Sequence, residues 1–139
     1  MGFFHSIFRG KKFDPDAARR QSEATLRETR RNRLQESKIT IAALKKSGAT
    51  DESRLKLEYT FGARTGAQAA ELSEKLAEMG YTKIGRAVAS SGGSTDVRGL
   101  TTRILLDDSL VLQWAMEMCD LGHQYGCQFS GWGANPNQP

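Results

Sequence analysis

Leu55, Leu57, Tyr59 and Phe61 alternate with Lys56, Glu58 and Thr60. A period of two over this length fits an extended strand with one buried face. The strand commits the chain to a sheet, and the segments after it decide which sheet. Thr65 and Gln68 form a Thr-x-x-Gln capping box. Ala69, Leu72, Leu76 and Met79 then recur at helical spacing until Gly80. Residues 81–88 read as a second strand and 101–106 as a third. Asp107-Asp108-Ser109 caps a further helix, whose expected buried stripe is Leu110, Val111, Trp114, Met118 and Leu121. Residues 127–132 read as the last strand. The order strand, helix, strand, strand, helix, strand is the split βαβ of a ferredoxin-like α+β fold. It predicts a four-stranded, mainly antiparallel sheet with both helices on one face.

An extra helix precedes this unit. Asp14-Pro15 supplies an N-cap and a first-turn proline, and Gly48 supplies a stop. Between them, Asp16–Arg20, Glu23–Arg27 and Glu28–Arg31 have the spacing of helical ion pairs. The apolar residues are concentrated late, at Leu34, Ile39, Ile41 and Leu44. Residues 34–46 are therefore expected to dock and 15–33 to project. The predicted organisation is a basic arm and helix over 1–48, a domain over 55–134 and a polar tail over 135–139.

Charge follows this division. Residues 1–54 hold 13 Lys/Arg against 7 Asp/Glu, whereas 55–139 hold 7 against 9. A near-neutral domain with a basic arm can meet RNA, an acidic protein or a membrane surface. Stable membrane insertion is not expected, since no apolar run approaches the roughly 18–20 residues of a span. Two cysteines are too few for a secreted disulfide framework. Phe3, Phe4, Ile7 and Phe8 run straight into Arg9, Lys11 and Lys12, without the apolar core of a signal peptide. A cytoplasmic location with reduced thiols is the expectation.

Several motifs invite chemistry and have a plainer reading. Cys119, His123 and Cys127 stand at i, i+4 and i+8, a spacing that could present zinc ligands on one helix face. Gly122 and Gly126 argue that the helix ends there, and no fourth ligand lies nearby. Met1-Gly2-Phe3-Phe4-His5-Ser6 fits the myristoylation pattern, and a basic aromatic arm also suits transient membrane contact. Gly92-Gly93 lacks the spacing and the lysine of a phosphate loop. Asp107-Asp108 sits at a helix start, where carboxylates cap. Tyr59 and Phe61 share the core side with Leu55 and Leu57, so stacking of RNA bases on the open sheet face is not expected. No nucleophile, base and orienting group converge, and no cofactor or metal is called for. The expectation is a non-enzyme.

The ending Phe129-Ser130-Gly131-Trp132-Gly133 is similar to the Tyr-Asp-Gly-Trp-Gly ending of the ribonuclease E inhibitor RraB family, the regulators of ribonuclease activity B. The strand at residues 55–63, LKLEYTFGA, resembles that family's first strand. Residues 30–51 resemble its N-terminal helix, glycine and acidic turn. The resemblance covers roughly residues 30–135. It implies a ferredoxin-like core, a cytoplasmic location and a non-catalytic protein that binds an RNA-degrading endonuclease and restrains it. The chain departs from the pattern in Ser130, which stands where the family has Asp, and in its basic arm where known members are acidic.

The expected partner is therefore a protein, a ribonuclease, with RNA as a second candidate through the basic arm. Arg27, Arg30, Arg31, Arg33 and Trp132 are the candidate partner-binding residues, together with the loop at 90–95. An immunity protein that neutralises a toxin, and an RNA-binding accessory protein, are the alternative functions. Nothing in the sequence sets the oligomeric state. If strict alternation continues from Cys127 and Phe129, Trp132 points to the opposite side of its strand, toward the docked part of the first helix.

Overall fold

The computed structural model describes residues 14–88 and 94–139. The aromatic N-terminal motif and residues 89–93, which include Gly92-Gly93 and most of the candidate loop at 90–95, lie outside the described residues. Among the described residues, three helices and a four-stranded antiparallel sheet make an α+β fold. In chain order they are α1 (Pro15–Lys46), β1 (Arg54–Ala63), α2 (Gly66–Glu78), β2 (Thr82–Val88), β3 (Thr95–Leu105), α3 (Asp108–Gln124) and β4 (Cys127–Gly133). The sheet order is β2-β3-β1-β4, and every neighbouring pair is antiparallel.

The inward residues of β1 build the core. Leu55, Leu57, Tyr59, Phe61 and Ala63 are all buried, as the alternation requires. Leu72 and Leu76 of α2 and Val111, Ala115 and Met118 of α3 join the same cluster. The α3 stripe differs from expectation at one end, where Leu110 is 49% exposed. It occupies the first turn, and Val111, one residue on, turns inward instead. The N-caps form, with Thr65 accepting from Gln68 N at 3.1 Å and Asp107 from Leu110 N at 3.1 Å, but the return bond of the capping box does not, since Gln68 Oε1 has no hydrogen-bond partner among the described residues.

The sheet is irregular at three places. Between Lys56 and Glu58 the β1–β3 register shifts. There the Thr101 hydroxyl accepts from Leu57 N at 2.9 Å and donates to Thr102 O at 2.6 Å. A buried side chain thus supplies an acceptor where the ladder is interrupted. The β2–β3 register shifts between Thr82 and Gly85, beside Lys83 with its positive φ of 52°. The third shift lies in β4. Thr60 pairs with Gly131 and Phe61 with Phe129, so Ser130 is an extra residue.

Residues 15–33 do not all project. Helix α1 runs antiparallel along α3 and beside β4, and its docked face begins near Ser22. Ser22 Oγ lies 3.4 Å from His123 Nε2, Leu26 packs on the core, and Thr29 is buried. The docked stripe continues through Arg33, Ser37, Ile41 and Leu44. Its first half is polar because it satisfies polar groups on β4 and α3. Counting apolar residues therefore missed it.

Candidate interaction surface

The four candidate arginines divide into two pairs. Arg30 reaches α3, where it forms an ion pair with Asp120 and donates to Met116 O at 3.4 Å. Arg33 reaches the free edge of β4, where its Nη1 donates to the carbonyl oxygens of Phe129, at 3.5 Å, and Ser130. Arg33 Nε also lies 2.8 Å from Glu36 Oε2, at an angle that makes this a charge contact without a hydrogen bond. Arg33 thereby covers carbonyls that an open sheet edge would offer to another chain. Arg27 and Arg31 are exposed, and neither forms an ion pair among the described residues. The anticipated Glu23–Arg27 and Glu28–Arg31 pairs do not form.

Trp132 lies on the same side of the sheet as Phe129, not on the opposite side. The extra residue Ser130 shifts the alternation by one, so Trp132 pairs with Tyr59 on the core side. Gly131, at φ 139°, takes the backbone conformation that this shift demands. The Trp132 ring meets Trp114 edge-on, with centroids 5.8 Å apart. Its Nε1 donates to Ser37 Oγ at 2.9 Å. The expected packing against α1 is present, reached from the core side of the strand.

Three clefts border these elements. The first, of about 650 Å³, lies between the N-terminal half of α1 and the ends of β1 and β4. Thr25, Thr29 and Gln128 line it, and Cys119, His123 and Cys127 all reach it. Burial pushes the Cys119 thiol up to about 11, against the opposing pull of Arg30 and Arg33. Burial, with Glu71 in support, also raises the Cys127 thiol. Both thiols are held protonated near neutral pH, and metal binding and nucleophilic attack require the thiolate. Among the described residues, no group of three or more His, Cys, Asp or Glu is placed to hold a metal ion.

The second cleft, of about 630 Å³, lies between the C-terminal half of α1 and the open sheet face. Glu36, Thr40, Glu58, Thr60 and Gly133 line it. The third, of about 380 Å³, is an apolar groove between α2 and α3 lined by Met79, Tyr81, Trp114 and Leu121. Trp114 Nε1 donates to the Tyr81 hydroxyl there at 3.1 Å.

The Asp107-Asp108 pair serves the fold. Asp107 caps α3, and Asp108 joins Asp51 in holding Lys45, whose pKa is raised first by the Asp108 hydrogen bond and then by Asp51. The outward positions of β1 are Lys56, Glu58, Thr60 and Gly62, with Asp96, Arg98, Leu100 and Arg103 opposite on β3. These positions give no aromatic platform for stacking bases.

Compared with protein-family models and with curated proteins, the chain matches none. Among the described residues, no helix is long and apolar enough to cross a membrane. Sequence reasoning missed the polar dock made by Thr29, Ser37 and Gln128, where Gln128 Nε2 donates to Thr29 Oγ1 at 3.0 Å. A signal for it exists: Thr29, Arg33, Ser37 and Ile41 follow one another at i+4, the period of a docked helical stripe.

Proposed function

We propose that this chain is a non-enzymatic cytoplasmic regulator that binds a ribonuclease of the RNase E type and inhibits it, with the ferredoxin-like core and extra N-terminal helix of the RraB family. The observation that carries the reading is the end of β4. The segment with the family-like ending, Phe129 to Gly133, is also where the long helix is fastened, through Arg33 and the Trp132–Ser37 hydrogen bond. A sheet order of β2-β3-β1-β4 with antiparallel neighbours supports the ferredoxin-like assignment. The departure at Ser130 falls on an exposed bulge residue whose backbone, rather than side chain, meets Arg33.

The resemblance supplies the ribonuclease, and fold by itself does not carry function. The interface assigned to it is the apolar groove at Met79, Tyr81 and Leu121 between α2 and α3. Purified chain is added in excess to RNase E acting on a labelled RNA. Slower cleavage together with a stable complex in gel filtration supports the reading. Unchanged cleavage with no complex removes it. An immunity role against a toxin remains the alternative of another class, and a toxin gene adjacent to the coding gene is the observation that would favour it.

A further inference from the structure

Helix α1 carries nine basic residues, and the fold sorts them. Arg19, Arg30, Arg33 and Lys45 form ion pairs with Asp16, Asp120, Glu36 and the Asp51/Asp108 pair. Lys46 sits in the last turn, where the helix dipole favours a cation. Arg20, Arg27, Arg31 and Lys38 remain. All four are exposed, and none forms an ion pair among the described residues. Their spacing of seven, four and seven residues puts them within about 20° of one line down the helix, over about 27 Å. That line is turned roughly 120° from the docked stripe of Thr29, Arg33, Ser37 and Leu44. Docking of α1 therefore turns Arg30, Arg33 and Lys45 toward other elements and leaves a straight row of others in solvent.

We infer that this row binds the phosphate backbone of single-stranded RNA. A row of separated charges suits a polymer of repeated charge better than a compact anion. Three of the four cations are arginine, whose planar fork matches phosphate oxygens. Beside the row stand Ala24, Gln35 and Ala42, with Leu34 half-buried. Among the described residues no aromatic side chain interrupts it, and Ile39, 70% exposed, lies about 100° away around the helix. Protein interfaces concentrate their energy in such anchors, and backbone binding of RNA does not need them. Glu23 and Glu28 flank the row on either side, so like-charge repulsion confines a phosphate chain to it. A straight row on a convex helix follows one strand. Among the described residues no aromatic stands beside the row to read a base, so the binding is independent of sequence.

This inference does not rest on the ribonuclease reading: a chain that restrains no nuclease would still carry the row. The test is fluorescence anisotropy of a labelled 30-nucleotide oligouridine with the full chain, over a series of salt concentrations. Four phosphate contacts predict a slope of log K against log salt near −3. The variant Arg20→Gln/Arg27→Gln/Arg31→Gln/Lys38→Gln should weaken binding by tenfold or more and flatten the slope. The control Lys83→Gln/Arg86→Gln, on β2, should bind within about twofold of the parent, since its charges lie off the row. If the quadruple variant loses its native circular-dichroism melt, Arg27→Gln/Arg31→Gln is read in its place, with half the loss in slope. No binding, or binding unchanged in the row variants, overturns the inference. Displacement of the RNA by poly-glutamate at equal charge as readily as by unlabelled RNA assigns the row to acidic proteins and also overturns it. Tighter binding of a duplex of the same length overturns the single-strand assignment.

Discussion

The indole of Trp132 donates to the hydroxyl of Ser37, 2.9 Å away, and so ties the last strand to the middle of the first helix. Ser37 is 1% exposed. Trp132 is half-buried and also packs edge-on against Trp114. The link joins residues 95 positions apart and closes the helix onto the sheet edge.

Removing the acceptor should cost stability without unfolding the chain. Ser37→Ala is expected to destabilise by about 1–2 kcal/mol, since it strands a partly buried N–H. Combined with Trp132→Phe, the loss should be less than the sum of the single losses, with a coupling of about 1 kcal/mol. Urea denaturation of the four proteins measures both quantities.

Backbone strain should separate two glycines in the same strand. Gly131 has φ 139° and open space where a Cβ would sit, so Gly131→Ala costs strain alone, about 1–3 kcal/mol. Gly133 has equal space and no positive φ. Gly133→Ala should stay within about 0.5 kcal/mol of the parent. Thermal melts of the two variants side by side distinguish strain from packing.

Tyr59 faces Gly99 across the β1–β3 pair. A Cβ on Gly99 would collide with the Tyr59 ring and hydroxyl and come within 3.1 Å of Thr82 O. Gly99→Ala should therefore cost about 1–3 kcal/mol by overpacking. The Tyr59 hydroxyl is buried without a hydrogen-bond partner. Tyr59→Phe is expected to be near neutral, and the cost of Gly99→Ala should fall in its presence. Urea melts of the single and double variants read the relief.

Arg33 and Arg31 should behave oppositely despite being two residues apart. Arg33→Met removes the donor to two β4 carbonyls and should destabilise by about 2 kcal/mol. Arg31→Gln touches no partner in the fold and should change stability by less than about 0.5 kcal/mol. Equilibrium denaturation checks the pair, and amide hydrogen exchange should show faster opening of β4 in Arg33→Met alone.

Alkaline pH should weaken the fold through Cys119. Burial raises its thiol from 9.0 to about 11 in the folded chain. The folded state then holds a proton that the unfolded state gives up. This contribution is fully present below about pH 9 and is lost as pH rises through about 11. Melting temperatures between pH 8 and 11 should fall less steeply in Cys119→Ala than in the parent. Tyr59, also raised by burial, accounts for part of the remaining fall.

Much of the fold is legible in residue patterns, because local physics sets those features. The alternation of residues 55–61, the Thr65 cap of α2 and the Asp-Pro helix start each act within a few residues. The face on which Trp132 sits is not local. A single extra residue at Ser130 inverts a period of two, and only pairing with β1 shows where that residue falls. The arginines of α1 are likewise indistinguishable in the sequence, since all have the same chemistry and lie on one helix.

Which of them became fasteners depends on what the rest of the chain placed beside α1. Asp120 and the open carbonyls of Phe129 and Ser130 drew in Arg30 and Arg33. The order of the elements and the buried face of β1 follow from residue patterns, since strand and helix periods are properties of short segments, although β3 begins at Thr95, ahead of the strand read at 101–106. Packing between elements sets the orientation of Trp132, the polar dock of α1 and the row of cations left in solvent. Those depend on contacts between residues about 70 to 100 positions apart, whose geometry no local period records.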